Sequence, residues 1–183
     1  MPASPQTGEA FDRWVAEHVA VLYRVAYRLL GNAHDSEDVV QDAFRSAWTS
    51  RHLYDRSRSE RAWLLAILKR RVADHWRRRE PREIATASDL NQPVTREVDP
   101  FADELSAAMQ AALDRLPAEL RETLLLVVVG ELTHQEAADL QGIPLGTVLS
   151  RVSRARSRLR EFLLAPTANG HAAPRLDRSP RHE

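Results

Sequence analysis

Residues 133–160 read THQEAADLQGIPLGTVLSRVSRARSRLR, and this stretch decides how the second half of the chain folds. Thr133 and Glu136 stand three residues apart, which is the spacing of a capping box at the start of a helix. Gly142 and Pro144 then predict a tight turn before a longer, Arg-rich helix. A short helix, a turn and a longer basic helix are the arrangement of a helix-turn-helix, with a plain helical hairpin as the alternative.

The Arg-rich helix has two unlike faces. Its apolar stripe consists of Val148, Val152, Ala155 and Leu159. The opposite face presents hydroxyl and guanidinium groups near the helix start, where a helix-turn-helix reaches base edges in the major groove. Arg can pair bidentately with guanine, and hydroxyls suit phosphates. The candidate DNA contacts on this face are Thr147, Ser150, Arg151 and Arg154.

Apolar residues recur at spacings of three and four along most of the remaining chain, and period-two alternation is absent. The pattern predicts helices over 10–30, 35–49, 60–79, 103–116 and 118–130, with a polar loop over 50–59. Among the side chains expected to face inward are Val19, Trp48, Trp63 and Trp76.

We therefore predict an all-α fold of two small helical domains. The first covers 10–80 and the second 104–164. Between them, residues 81–103 contain three prolines without periodicity and are predicted to form a flexible linker. Residues 165–183 are predicted to be a disordered tail.

The net charge of zero hides a strong pattern along the chain. Segments 69–82 and 151–160 are rich in Arg, whereas acids outnumber Arg by 12 to 3 over 83–139. Two separate basic segments favour two anion-binding surfaces, and the alternative for either one alone is a solvated helix face. The chain has no cysteine, which excludes disulfides and thiolate metal sites and fits a reducing cytoplasm. The longest apolar run, 124–129, is too short to cross a membrane, so no membrane insertion is expected.

The segment 35–44, DSEDVVQDAF, places acids and an amide on the outer face of a predicted helix. Acids near a helix N-terminus are favourable, so a solvated face is one interpretation. A divalent-metal site built from these acids is another, and with it a metal-dependent nucleic-acid enzyme. No histidine-and-acid constellation and no phosphate-cradling Gly loop accompany them. We predict no enzymatic activity, no catalytic residue, no metal and no cofactor.

Taken together, these motifs resemble the sigma-70 family of RNA polymerase sigma factors. LDRLPAELRETLLL and GIPLGTVLSRVSRARSRLR, within 113–160, are similar to region 4, whose recognition helix reads the upstream promoter element. LYRVAYRLLGNAHDSEDVVQDAFRSAW, at 22–48, is similar to the opening of region 2. The large members' extra N-terminal region and third region have no counterpart, which indicates the small extracytoplasmic-function (ECF) type.

The resemblance implies partners and a second set of site residues. Core RNA polymerase would dock on a face formed by Asp38, Gln41, Asp42 and Arg45. Residues 50–79 would hold and help to melt the downstream promoter element, with a base captured by the 50–60 loop. The residues expected to contact DNA there are Tyr54, Arg56, Arg58, Arg70, Arg71, Arg77 and Arg78. Promoter DNA and an anti-sigma factor complete the implied partners, and a stand-alone helix-turn-helix repressor or activator is the alternative function.

Overall fold

The structure, a computed structural model, describes residues 8–83 and 107–164 and contains only helices and turns within them. The helices are α1 (Gly8–Leu30), α2 (Ala33–Ser50), a 3-10 turn (Arg51–Leu53), α3 (Glu60–Glu83), α4 (Ala107–Asp114), α5 (Ala118–Val128), α6 (His134–Gln141) and α7 (Leu145–Leu164). The all-α prediction is confirmed. The predicted disordered tail and nearly all of the predicted linker lie outside the described residues, but α3 continues through 81–83, where the linker was expected to begin.

The first three helices pack around one apolar core. Leu22, Leu64, Leu65 and Leu68 are essentially inaccessible to solvent, as the apolar spacing of α1 and α3 requires. Gly31, with a positive φ of 70°, ends α1, and the side chain of Asn32 caps α2 by accepting a hydrogen bond from the Asp35 N–H at 2.9 Å. Gly31 and Asn32 thus form the short connection between α1 and α2.

Three side chains expected to face inward are exposed instead. Val19, Trp48 and Trp76 are 39%, 37% and 43% accessible, so their assignment to the core was wrong. Each lies at the margin of an apolar stripe, where helical spacing alone does not separate the buried edge from the exposed one. Trp63 is half-buried and contributes to an aromatic cluster with Trp14, at a centroid distance of 6.0 Å.

The last four helices form a second bundle that packs against the first. A buried hydrogen bond joins Arg28 Nη1 of α1 to Gln110 Oε1 of α4 at 3.0 Å. Lys69 Nζ lies 2.6 Å from Glu122 Oε1. Arg61 forms an ion pair with Glu131 in the turn after α5. We call this contact between the two bundles the seam.

The seam also contains a close backbone approach. Gly130 is buried, and a Cβ built on it would lie 2.9 Å from Leu65 Cδ1 and 2.6 Å from the Leu126 carbonyl oxygen. Only glycine fits at this position without a shift of the backbone at the end of α5 and of the Leu65 side chain. The seam therefore combines charge pairs at its rim with tight apolar packing at its centre.

Candidate functional site

The helix-turn-helix is built by the two caps that the sequence predicted. The Thr133 side chain accepts a hydrogen bond from the Glu136 N–H, and the Glu136 carboxylate accepts one from the Thr133 N–H at 2.8 Å, which confirms the capping box. Gly142 ends α6 in the left-handed conformation, with φ of 65°. The buried stripe of α7, with Val148, Val152 and Ala155, holds the recognition helix against α5 and α6.

The outer face of α7 carries a small hydrogen-bonded group at its N-terminal end. Ser150 Oγ donates to the Thr147 carbonyl at 2.9 Å, and Arg154 Nε donates to the Ser150 carbonyl at 3.3 Å. Ser150 and Arg154 are exposed, and Thr147 is half-buried beside them. The guanidinium of Arg154 is thus held over the first two turns of α7, where it can meet a base or a phosphate.

Arg151 does not share this environment. Its Nη2 donates to Glu119 Oε2 at 2.8 Å, and its Nη1 lies 3.5 Å from Gln141 Oε1. The side chain is only 18% accessible. In this structure Arg151 therefore joins α7 to α5 and α6, and the Glu119 pair would have to break before its guanidinium reached DNA.

The outer face of α7, which carries Ser150 and Arg154 and which we call the recognition face, also presents two apolar side chains that the sequence analysis did not predict. Leu145 and Leu149 are 40% and 48% accessible in the first turns of α7. Exposed apolar side chains at such a position can contact the methyl group of thymine. A departure from the apolar stripe of α7 was the available signal, since both lie outside the spacing of Val148 and Val152.

On α2, the outer face is a connected polar surface. Arg45 Nη1 donates to Asp42 Oδ1 at 2.9 Å, and its Nη2 lies 3.4 Å from Gln41 Oε1. Asp38, one turn earlier, lies 3.7 Å from His34 Nε2. The structure brings all four predicted docking residues to one side of α2, while the buried residues Val39 and Ala43 anchor the other side.

The loop before α3 is ordered by its own short-range bonds. The Ser57 N–H donates to Asp55 Oδ1 at 2.9 Å, and hydrogen bonds from Ser57 hold the pKa of Asp55 below its usual range. Ser59 Oγ accepts from the Ala62 N–H and caps α3. Arg56 and Arg58 are exposed on this loop.

Tyr54 has a different place from the one expected. Its ring packs edge-on against Trp14 at 4.9 Å between centroids, and its hydroxyl donates to the Arg58 carbonyl at 2.7 Å. Burial, together with the nearby carboxylates of Glu60 and Asp55, raises the pKa of Tyr54. In this structure Tyr54 anchors the loop to the core, and its ring is committed to the aromatic cluster.

A cationic groove runs between α2 and α3. It encloses about 570 Å³, and its lining includes Arg45, Trp63, Arg70 and Arg71. Guanidinium groups beside an aromatic wall are the combination that single-stranded nucleic acid binds. Arg70 is exposed, whereas Arg71 Nη1 is bound to Asp74 Oδ2 at 3.1 Å.

The other two cations predicted to contact DNA lie further along α3. Arg77 also pairs with Asp74, and Arg78 Nε donates to the Asp74 carbonyl at 3.3 Å. Both are exposed. The seven predicted residues therefore divide among the loop, the groove and the later turns of α3, and the structure does not bring them into one pocket.

The loop also touches the second bundle across the seam. Although burial raises the pKa of Glu136, hydrogen bonds from Ser59 and Thr133 and the positive charge of Arg61 outweigh it, so that the pKa lies below its usual value. Arg58 and Ser59 line a cavity of about 180 Å³ with Glu136 and Asp139 of α6. In this arrangement α6 covers one side of the loop.

Known families match both halves of the chain. The family model described as Sigma-70 region 2 matches residues 14–82, and that described as Sigma-70, region 4 matches residues 106–159. The first match includes α2 and α3, and the second includes the helix-turn-helix.

Two curated relatives extend the likeness across most of the chain. The ECF RNA polymerase sigma factor SigE of Mycolicibacterium smegmatis is 36% identical over 159 residues, which are 84% of this chain and 62% of the relative. This chain thus spans about three fifths of that relative's length. SigW of Bacillus subtilis, also an ECF sigma factor, is 32% identical over 167 residues, covering 85% of this chain and 89% of the relative.

A solved structure agrees with the arrangement of helices. The sigma factor RpoE, in its co-crystal with the anti-sigma factor NepR from Bartonella quintana, gives a TM-score of 0.74 at 27% identity. The match covers 86% of this chain and 99% of that one. With both regions present in one chain and relatives of the same kind over most of its length, this chain belongs to the sigma-70 family of RNA polymerase sigma factors, in its ECF branch.

Proposed function

We propose that this chain is a transcription initiation factor that binds core RNA polymerase and directs it to specific promoters. The observation that carries the proposal is the presence of both sigma regions in one chain, each with an exposed polar face. A stand-alone helix-turn-helix regulator accounts only for α6 and α7 and leaves the polar face of α2 without a role, so we do not favour it.

Core polymerase would dock on the outer face of α2. Gln41 and Asp42 are held by Arg45 in the free chain, so docking exchanges weak exposed contacts for bonds to the partner. Asp38 is exposed one turn away and extends the same surface. Exchange of this kind leaves the core of the bundle untouched, which suits a factor that binds and later leaves polymerase.

Promoter DNA would be held at two places. The exposed N-terminal face of α7, with Ser150 and Arg154, suits the major groove of the upstream element. The groove with Trp63 and Arg70, and the Arg-bearing loop before α3, suit the separated strand downstream. Melting in this scheme comes from strand capture and from the polymerase, and no catalytic step is assigned to this chain.

An anti-sigma factor is the regulator that best fits the chain. RpoE of Bartonella quintana has the same helical arrangement while bound to its anti-sigma factor NepR. Initiation takes place where polymerase and chromosome are, so we place the protein in the bacterial cytoplasm. The described helices include none that is long and apolar enough to cross a membrane.

Run-off transcription tests the proposal directly. Purified chain, purified core polymerase and a genomic library of promoter fragments should give discrete transcripts that neither protein gives alone. Mapping of the start sites should reveal shared upstream and downstream elements. If transcripts do not depend on the added chain, while the chain binds one duplex operator tightly by itself, the helix-turn-helix regulator is the better account.

A further inference from the structure

We propose that Glu17, His18 and Glu60 form a binding site for a divalent transition-metal ion, with Zn²⁺ as the best fit. Glu17 and His18 lie on α1, and Glu60 is the first residue of α3. One donor atom from each residue, an imidazole nitrogen and two carboxylate oxygens, lies within 4.8 Å of the other two. Since α1 and α3 pack directly against each other, the cluster is held by the first bundle alone.

His18 is the observation that points to a ligand. The residue is only 3% accessible, yet neither of its ring nitrogens has a hydrogen-bond partner within the described parts of the chain. Buried polar atoms without a partner call for an ion or a water molecule to complete their bonding, and His18 leaves both of its ring nitrogens in this condition. The ring is buried beside two carboxylates, which would accompany it as ligands.

The separation of His18 and Glu60 fits an ion bound between them better than a direct hydrogen bond. His18 Nε2 lies 3.5 Å from Glu60 Oε2, which is long for a charge-assisted hydrogen bond. Two ligands that each lie about 2.0–2.1 Å from a tetrahedral zinc are separated by about 3.4 Å. The separation of His18 and Glu60 thus matches one edge of a zinc coordination tetrahedron, and the other two donor pairs lie within 4.8 Å.

The donor set selects the metal. Magnesium and calcium take oxygen ligands, so an imidazole favours a first-row transition metal instead. Three protein ligands leave one position for water or for another ligand, as in open zinc sites. A surrounding cavity of about 430 Å³ provides room for it.

The charge around the site accommodates a cation. The cavity is lined by four carboxylates, two of them the proposed ligands, and by three guanidinium groups, so carboxylates outnumber guanidinium groups by one before an ion binds. Arg61, the guanidinium next to Glu60 in sequence, is already paired with Glu131. A bound ion would tie the start of α3 to α1 and thereby fix the 54–59 loop that precedes it.

The test is zinc titration of the full chain by calorimetry after removal of metal with a chelator. Wild type should bind one zinc ion, and Glu17→Gln and Glu60→Gln should each weaken binding at least tenfold, because even outer-shell changes at metal sites cost about 10–100-fold. His34→Gln is the matched control, since His34 and Asp38 form another histidine–acid pair, exposed and 3.7 Å apart. It should leave zinc affinity unchanged.

Co²⁺ gives a second readout that reports coordination rather than affinity. Wild type with one equivalent of Co²⁺ should show the visible absorption of a four-coordinate site, and Glu60→Gln should lose it. Glu17 is exposed, so Glu17→Gln keeps the test valid if other variants fold poorly. Equal zinc affinity in wild type and both Glu variants, or loss of affinity in His34→Gln alone, would overturn the proposal.

Discussion

Arg151 and Arg154 are three residues apart on one helix, and the structure gives them opposite environments. Arg154 is exposed and, among the described residues, forms hydrogen bonds within the first turns of α7, whereas Arg151 is bound to Glu119. We therefore expect substitution of Arg154 to reduce DNA binding and substitution of Arg151 to reduce the stability of the fold.

We expect Arg154→Ala to weaken binding of the polymerase complex to the upstream element by about 1–3 kcal/mol if it reads a base, with an unchanged melting temperature. If Arg154 contacts a phosphate, affinity for all DNA sequences should fall alike. The slope of log affinity against log salt concentration should then decrease in magnitude by about one unit. Fluorescence anisotropy on duplexes mutated base by base distinguishes the two. Unchanged affinity on every duplex would remove Arg154 from the interface.

Arg151→Ala should instead lower the free energy of unfolding by about 1 kcal/mol, because a partly buried charged hydrogen bond is lost. Glu119→Gln is the control: it weakens the same bond from α5, 32 residues away, without altering the recognition face. Thermal melting of the two variants should show similar losses. If Arg151→Ala keeps the melting temperature of the wild-type protein but binds DNA more weakly, the Arg151 guanidinium contacts DNA in the complex and not Glu119.

On α2, Gln41→Ala combined with Asp42→Ala should weaken binding to core polymerase while the unfolding free energy changes by less than about 0.5 kcal/mol, as is usual for exposed polar residues. Both replaced side chains contact only Arg45 among the hydrogen bonds of the α2 face, so the core of the bundle is preserved. Glu161→Gln, an exposed change in α7, serves as control. Core affinity that does not change in the double variant would contradict the docking assignment.

At the scale of elements, the start of α6 serves both its own bundle and the seam. Glu136 closes the capping box with Thr133 and also lines a cavity with Ser59 of the loop before α3. Its pKa is lowered in the folded protein relative to the ordinary value of 4.5. A lowered pKa means that the ionised carboxylate stabilises the fold above about pH 4.5, and that this contribution is lost as the pH falls through the lower folded pKa.

We therefore expect Glu136→Gln to lower the melting temperature at neutral pH and to have little effect well below pH 4. Melting of wild type and variant across this range measures the convergence of the two curves. Gln135→Ala, an exposed change on the same helix at a side chain that carries no charge, serves as the control. If the difference in melting temperature between Glu136→Gln and wild type stays constant down to the lowest pH tested, the charge of Glu136 does not stabilise the fold.

The helices themselves were predictable because their signals are local. Apolar spacing predicted α1, α2 and α5, and the capping box with Gly142 predicted α6 and the turn. The contacts that were missed link residues distant in sequence: Arg151 with Glu119, and Lys69 with Glu122. A helical pattern identifies an exposed charged face but does not identify the charge that will lie opposite it. For the same reason the sequence indicated no link between Glu60 and His18.

At the scale of the whole molecule, the seam sets acids of the second bundle against basic residues of the first. Glu122 meets Lys69, and Glu131 meets Arg61 and, at 3.9 Å, Arg24. Beside them α6 covers one side of the Arg-bearing loop. The closed arrangement therefore competes with binding of DNA by that loop.

We expect the free chain to bind promoter duplex poorly and the complex with polymerase to bind it well. A net charge of zero also deprives the free chain of the long-range attraction that aids basic DNA-binding proteins. Mobility shifts at physiological salt, with the chain, with polymerase and with both, measure the difference. Tight sequence-specific binding by the chain alone would favour the stand-alone regulator instead.

Charge reversal at the seam should open the closed arrangement. Glu131→Lys removes the pairs with Arg61 and Arg24 and places like charges together, so we expect a larger radius of gyration and stronger binding of single-stranded DNA by the free chain. Glu161→Lys makes the same change in net charge on α7, away from the seam. If both variants bind DNA equally, the gain comes from net charge and the seam does not mask the loop.

The close approach of Gly130 to Leu65 limits how freely the two bundles can be exchanged between relatives. A hybrid that joins this first bundle to a second bundle with a side chain at the position of Gly130 would place a Cβ within 2.9 Å of Leu65. The same Cβ would lie 2.6 Å from the Leu126 carbonyl oxygen, so a parent with a side chain at that position must also end α5 differently. A hybrid that takes the turn after α5 from one parent and α3 from another should therefore close poorly, and restoring glycine at that position should recover the closed form.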